Sequence, residues 1–96
     1  MNFSVFYTKN GGFAYDFDNN QVYYKISKIV KNMEKVLKNS KRISNTSYIF
    51  INNELYVTAH TCTQVLSQYD WNNFNIEVQE ALESVKEFNP ERFKDG

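Results

Sequence analysis

The chain is poor in the residues that most often carry chemistry. Its 96 residues include one cysteine, one histidine, one tryptophan, one proline, three glycines and two arginines. A lone thiol, Cys62, excludes an internal disulfide, so the fold does not depend on an oxidising compartment and a cytoplasmic location is expected. One histidine and one cysteine also fall short of the about four protein ligands of a structural zinc site, or about three of a catalytic one. No apolar run approaches the roughly 20 residues of a membrane span, and Met1–Lys9 lacks the basic start, long apolar stretch and small-residue cleavage site of a signal peptide. Neither secretion nor contact with a membrane is expected. With no repeat and no low-complexity linker to divide it, the chain reads as a single domain over 1–96, with 90–96 a frayed tail. A chain of this length buries roughly 60–65% of its unfolded surface, enough for one modest core but not for a deep substrate pocket.

Aromatic residues are plentiful. Eight Phe, seven Tyr and one Trp make a core feasible at this size, because each ring can bury about 150–250 Å². Asparagine, lysine, phenylalanine, tyrosine, isoleucine and methionine, the residues of AT-rich codons, dominate the composition. That bias fits a low-GC bacterium, its phages or its mobile elements. The formal charge is zero, yet residues 1–53 carry most of the lysines and residues 54–96 most of the acids.

The chain alternates at Phe3, Val5 and Tyr7, is interrupted by Asn10-Gly11-Gly12, and alternates again at Phe13, Tyr15 and Phe17. This is a hairpin pattern. A three-residue loop at 10–12 with a glycine at positive φ gathers the large residues on one face, setting Tyr7 opposite Tyr15 and Val5 opposite Phe17. From Val22 to Asn39 the period lengthens, and Val22, Ile26, Ile29, Val30, Met33 and Leu37 form one stripe opposite the lysines, which predicts an amphipathic helix. A second hairpin follows, with strands 48–51 and 55–60 about Asn52-Asn53. It places Tyr48, Phe50, Leu55, Val57 and Ala59 on one side and Ile49, Ile51, Tyr56, Thr58 and His60 on the other. Thr61-x-x-Gln64 has the form of a capping box before a short helix over 62–69, and Asp70-Trp71-Asn72-Asn73 reads as a turn. Asn75 is placed as the cap of a last helix with a stripe of Val78, Ala81, Leu82, Val85 and Phe88, ended by Asn89-Pro90. The order is ββαββαα: an α+β fold with an antiparallel sheet of two hairpins, about four strands, and helices over one face.

No constellation supplies catalytic machinery. On a continuing strand His60 and Cys62 would share a face as a thiol and its base, but a third ligand or orienting group is missing. Asp16-x-Asp18-x-Asn20 opens like a calcium loop, yet Gln21 stands where a glycine must turn the chain and Ser27 where a bidentate glutamate must sit. Asn10-Gly11-Gly12 lacks the following helix and the Lys-Ser/Thr pair of a phosphate loop. No catalytic residue, metal ligand or cofactor is therefore assigned, and no enzymatic activity is expected.

Charge is the remaining signal. Lys28, Lys31, Lys35 and Lys38 line one predicted helix and Glu80, Glu83 and Glu87 another, with Tyr56 on a two-sided apolar hairpin; these are the candidate partner-binding residues. Glu77 and Glu80 would favour the last helix through its dipole, whereas Glu83 and Glu87 have no such reason to be there. The expected function is a non-enzymatic binding or inhibitory module, a phage or mobile-element protein that blocks a host defence or regulatory protein or nucleoprotein complex by occupying a charged groove. The alternatives are a nucleic-acid-binding regulator using the lysine helix and an oligomer that sequesters a nucleotide between subunits. Scarce arginine, the residue best suited to forked contacts with phosphate and guanine, weighs against direct nucleic-acid binding. The opposed charged faces also allow a salt-sensitive homodimer.

Overall fold

The computed structural model describes residues 2–26, 29 and 48–93. Within them the chain is an α+β domain with an antiparallel sheet of five strands, one more than the sequence pattern suggests. The strands are β1 (Phe3–Thr8), β2 (Gly11–Asp16), β3 (Gln21–Lys25), β4 (Tyr48–Ile51) and β5 (Glu54–Val57), in the spatial order β1-β2-β3-β5-β4. Two helices follow, α1 (Ala59–Val65) and α2 (Gln68–Phe88), and Pro90–Phe93 close a 3₁₀ turn.

The first hairpin forms, but in a different register. Thr8 pairs with Gly11, Phe6 with Phe13 and Val5 with Ala14, so Lys9-Asn10 is the loop and both following glycines lie in β2. Neither glycine has a positive φ. Their smallness answers a close approach instead. A Cβ on Gly11 would run into the Lys25 carbonyl oxygen and reach the Phe74 ring, and one on Gly12 would stand 2.6 Å from the Phe6 carbonyl oxygen. The register differs from the expected one by an odd number of residues, so the faces exchange: Phe6, Phe13 and Tyr15 share one side, while Phe3, Val5 and Tyr7 share the other.

Residues 22–25, expected to start a helix, are strand. β3 pairs with β2 from Gly12↔Lys25 to Asp16↔Gln21, the two joined by the four-residue loop 17–20. Asp16 builds that loop. Its Oδ1 accepts from the Asp18 and Asn19 amides at 2.9 and 3.3 Å, its Oδ2 accepts from Asn19 Nδ2 at 2.8 Å, and Asn20 takes a left-handed φ of 54°. The Asp16–Asn20 run thus ends one strand and leads to another rather than to a helix cap. Val22 falls opposite Tyr15 and Tyr24 opposite Phe13, so strand alternation turns both toward the core, Tyr24 buried and Val22 partly buried. The rest of the expected 22–39 helix, with Lys28, Lys31, Lys35 and Lys38, lies outside the described residues, apart from Ile26 and Ile29.

The second hairpin turns on Asn52-Asn53, both left-handed at φ 52° and 67°, the geometry whose twist matches the flanking strands. Tyr48 pairs with Val57, Ile49 with Tyr56 and Phe50 with Leu55, as the alternation predicts. β5 nevertheless stops at Val57, because Thr58 caps α1 by accepting from the Thr61 amide at 3.3 Å. Thr61-x-x-Gln64 therefore lies inside α1 rather than at its start. Ser67 then caps α2, accepting from the Asp70 amide at 3.1 Å. Residues 70–73, expected to turn, are helical, and Asn75 sits within the helix. Burial decides this: Trp71, Phe74, Val78 and Leu82 recur at helical spacing, and the rings of Trp71 and Phe74 meet Tyr24 edge-on at 5.1 and 6.0 Å. The helix ends as expected, with the Asn89 amide bonding the Val85 carbonyl before Pro90.

The core lies between α1, α2 and one sheet face: Phe13, Tyr15, Tyr24, Ile26 and Val57 pack with Cys62, Leu66, Phe74, Val78 and Leu82. Phe88, expected in the apolar stripe, is 85% exposed. Phe74→Ala is expected to cost about 3–5 kcal/mol in urea unfolding, whereas Phe88→Ala should stay within about 0.5 kcal/mol of the parent. Burial pushes the Asp16 carboxyl up, but the bonds from Asn19 and the Asp18 and Asn19 amides outweigh it and hold its pKa below the usual 3.8. This stability is present above the unfolded pKa and is lost as pH falls through the folded one. Urea midpoints below about pH 4 should therefore fall more steeply in the parent than in Asp16→Asn.

Candidate interaction surface

Because α2 seats Phe74, Val78 and Leu82 in the core, the helical period dictates what points away from it. At about 100° per residue, Tyr69, Ile76, Glu80, Glu83 and Glu87 fall within about 60° of arc on the opposite side. All five are exposed, Tyr69 by 76% and Ile76 by 56%. From Tyr69 to Glu87 the ridge runs about 27 Å, apolar along its first half and acidic along its second. Glu83 meets Lys86 at 3.6 Å in an exposed pair, a contact of little energetic weight.

Glu77 lies to one flank of this ridge, where its Oε1 accepts from Asn10 Nδ2 at 3.3 Å and ties the helix to the first hairpin loop. Beside that bond is an open cleft of about 590 Å³ lined by Lys9, Asn10, Ile29, Asp70, Asn73 and Phe74. On the other flank Asn75 Oδ1 accepts from the Tyr24 hydroxyl at 3.2 Å. Both flanks therefore fasten α2, and the ridge between them fastens nothing among the described residues.

Of the residues singled out from the sequence, Glu80, Glu83 and Glu87 come together on this ridge, and the four lysines lie outside the described residues. Tyr56 is only 1% exposed and does not offer its ring to solvent. Burial, followed by the neighbouring Glu54 and Tyr7, pushes its phenol up to about 12. Lys25, a cation of the basic half of the chain, reaches across the sheet from β3 to Glu54 Oε1 at 2.7 Å, with its ammonium 5.4 Å from the Tyr7 ring centre. The turn expected at 70–73 sets Tyr69 and Ile76 on two separate helices, so the sequence pattern does not align them; continuing the Phe74, Val78, Leu82 period toward the N-terminus does.

His60 and Cys62 do not share a face. Both lie in α1, about 200° apart around its axis, with His60 exposed and Cys62 buried. Among the described residues no group of three or more His, Cys, Asp or Glu is placed to hold a metal ion, and no helix is long and apolar enough to cross a membrane. Comparison with protein-family models, with curated proteins and with solved structures found no match.

Burial pushes the Cys62 thiol up to about 12, so it stays protonated and unreactive in the folded chain. A thiol-reactive chromophore at pH 8 is expected to modify native protein only as fast as it opens, and unfolded protein at once. A raised acid pKa stabilises the fold fully below the unfolded value and loses that contribution as pH rises toward the folded one. Cys62→Ser should accordingly flatten the loss of stability above about pH 9 while lowering stability at pH 7 by about 1–3 kcal/mol.

Proposed function

We propose that this chain is a non-enzymatic binding module of the inhibitory kind, which presents the outer ridge of α2 to a basic groove on a protein or nucleoprotein partner. One observation carries the reading. Tyr69 and Ile76 are exposed in line with Glu80, Glu83 and Glu87, on the side of the helix that does not fasten the domain. Packing gives no reason for an aromatic and a β-branched residue there, and the helix dipole gives none for acids at Glu83 and Glu87. A partner that is cationic along one half of its groove and apolar along the other matches the ridge in both sign and sequence. Apolar anchors supply affinity in such contacts, and the rim charges supply rate and selectivity. Occupation of a groove that otherwise receives a polyanion is how a module of this kind inhibits, and a phage or mobile element in a low-GC host is the setting to which the composition points.

The test compares the immobilised parent chain with Ile76→Asp and with the combined Glu80→Lys, Glu83→Lys and Glu87→Lys variant in nuclease-treated lysate from a low-GC bacterium. One protein retained in stoichiometric amount by the parent, and reduced at least tenfold with both variants, is the expected result. Equal retention by all three overturns the reading. So does recovery of nucleic acid alone from lysate not treated with nuclease, which would point to the lysine segment.

A further inference from the structure

The sheet has two edges, and they differ. β4 is four residues long, and short edges are one of the ways proteins avoid strand pairing. β1 is six residues long, pairs with β2 without a bulge, and contains neither a charged residue nor a proline. The protections a strand can carry in itself, namely shortness, charge, proline or a bulge, are missing from it.

The backbone parity of β1 defines what this edge offers. In an antiparallel pair, alternate residues exchange both backbone bonds with the neighbouring strand while the residues between them turn theirs away. The Phe17 amide bonds the Asn2 carbonyl at 3.0 Å, and Thr8↔Gly11 closes the two-residue loop, so the even-numbered residues of β1 bond to β2. Phe3, Val5 and Tyr7 direct their N–H and C=O outward, and no described residue bonds them. Their side chains share the sheet face away from α2, with the Tyr7 ring 69% exposed at the rim.

We infer that β1 pairs with β1 of a second copy of this chain, antiparallel about a twofold axis at Val5, joining two five-stranded sheets into one. The spacing fits this occupant. Outward-facing residues at 3, 5 and 7 are symmetric about Val5, so a copy turned through the twofold sets Phe3 against Tyr7, Val5 against Val5 and Tyr7 against Phe3. Three pairs with two bonds each use every outward group of the strand. Each Tyr7 ring then lies across from a Phe3 ring, an aromatic cross-strand pair of the kind that stabilises antiparallel ladders. The contact is small beside the roughly 1,200–2,000 Å² of a standard interface, so it is micromolar rather than nanomolar and depends on concentration. It rests on backbone bonds and rings rather than on charge, unlike a dimer of opposed lysine and glutamate faces. It is also independent of the reading of α2, whose ridge it leaves open and presents twice.

Sedimentation velocity and amide hydrogen exchange test this on the whole chain at about 5 and about 500 µM. The expected result is a shift from one to two chain masses that persists at about 0.5 M salt. It should come with concentration-dependent protection of the Phe3, Val5 and Tyr7 amides, while those of Ser4, Phe6 and Thr8 are protected at both concentrations. Val5→Pro removes the central donor at an edge position where proline is tolerated. Tyr7→Lys alters a side chain already in solvent, so it keeps the test decisive if the proline variant does not fold. Both variants are expected to remain single chains at about 500 µM, with Tyr7→Lys keeping the parent circular dichroism. A parent that stays single at both concentrations overturns the proposal, even if adding another polypeptide protects its odd-numbered amides. A dimer that salt dissociates, that survives in Tyr7→Lys, or that leaves those amides unprotected also overturns it.

Discussion

Phe74 seats α2 against Gly11 beside the Lys25 carbonyl, and most of the architecture follows from that seat. Gly11 has no side chain there, which lets the Lys25 carbonyl of β3 approach on one side and the Phe74 ring on the other. All six residues of β2 are buried, so the strand needs a neighbour on each edge and cover over Phe13 and Tyr15. β1 and β3 supply the edges, and α2 supplies the cover. Once Phe74 is placed, Trp71 reaches Tyr24 one turn earlier, and Val78 and Leu82 continue the seam. With Ser67 as its cap the helix begins at Gln68, and its outer ridge is aimed away from the sheet.

The charge segregation takes on a different meaning once the strands are placed. Lys25, from the basic half of the chain, is drawn into the sheet beside Glu54, with its side chain only 12% exposed. That pair bridges β3 and β5, strands whose backbones meet at Tyr24 and Val57. It therefore joins the first three strands to the second hairpin in addition to the core contacts. Glu80, Glu83 and Glu87 are used otherwise, along an exposed helix face where charge contributes little to folding. The same excess of charge thus performs structural work at one position and faces outward at another.

Some elements could be read directly from local chemistry. Asn52-Asn53 between two alternating runs determined the second hairpin and its register, since asparagine tolerates the left-handed conformation that a two-residue turn requires. Asn89-Pro90 determined the end of α2, because the ring of proline and its missing donor cannot continue a helix. The α+β class, and the exposure of Glu80, Glu83 and Glu87, followed from periodicity. Other elements were legible only in part. Val22 and Ile26 fit a helical stripe extending through Leu37 as well as a strand end, and Asp70-Trp71-Asn72-Asn73 has turn composition although two of its neighbours in the helix face the core.

By itself, then, the sequence determined which short segments turn, where the last helix stops and which broad class the domain belongs to. These depend on backbone preferences acting over a few residues. Tertiary structure alone decided that residues 21–25 pair as a third strand, that the first hairpin closes at Lys9-Asn10, and that α2 reaches back to Ser67. Each of those choices sets a modest local preference against the burial of a large side chain, and burial of an aromatic ring outweighs the few tenths of a kcal/mol that separate most residues in local propensity.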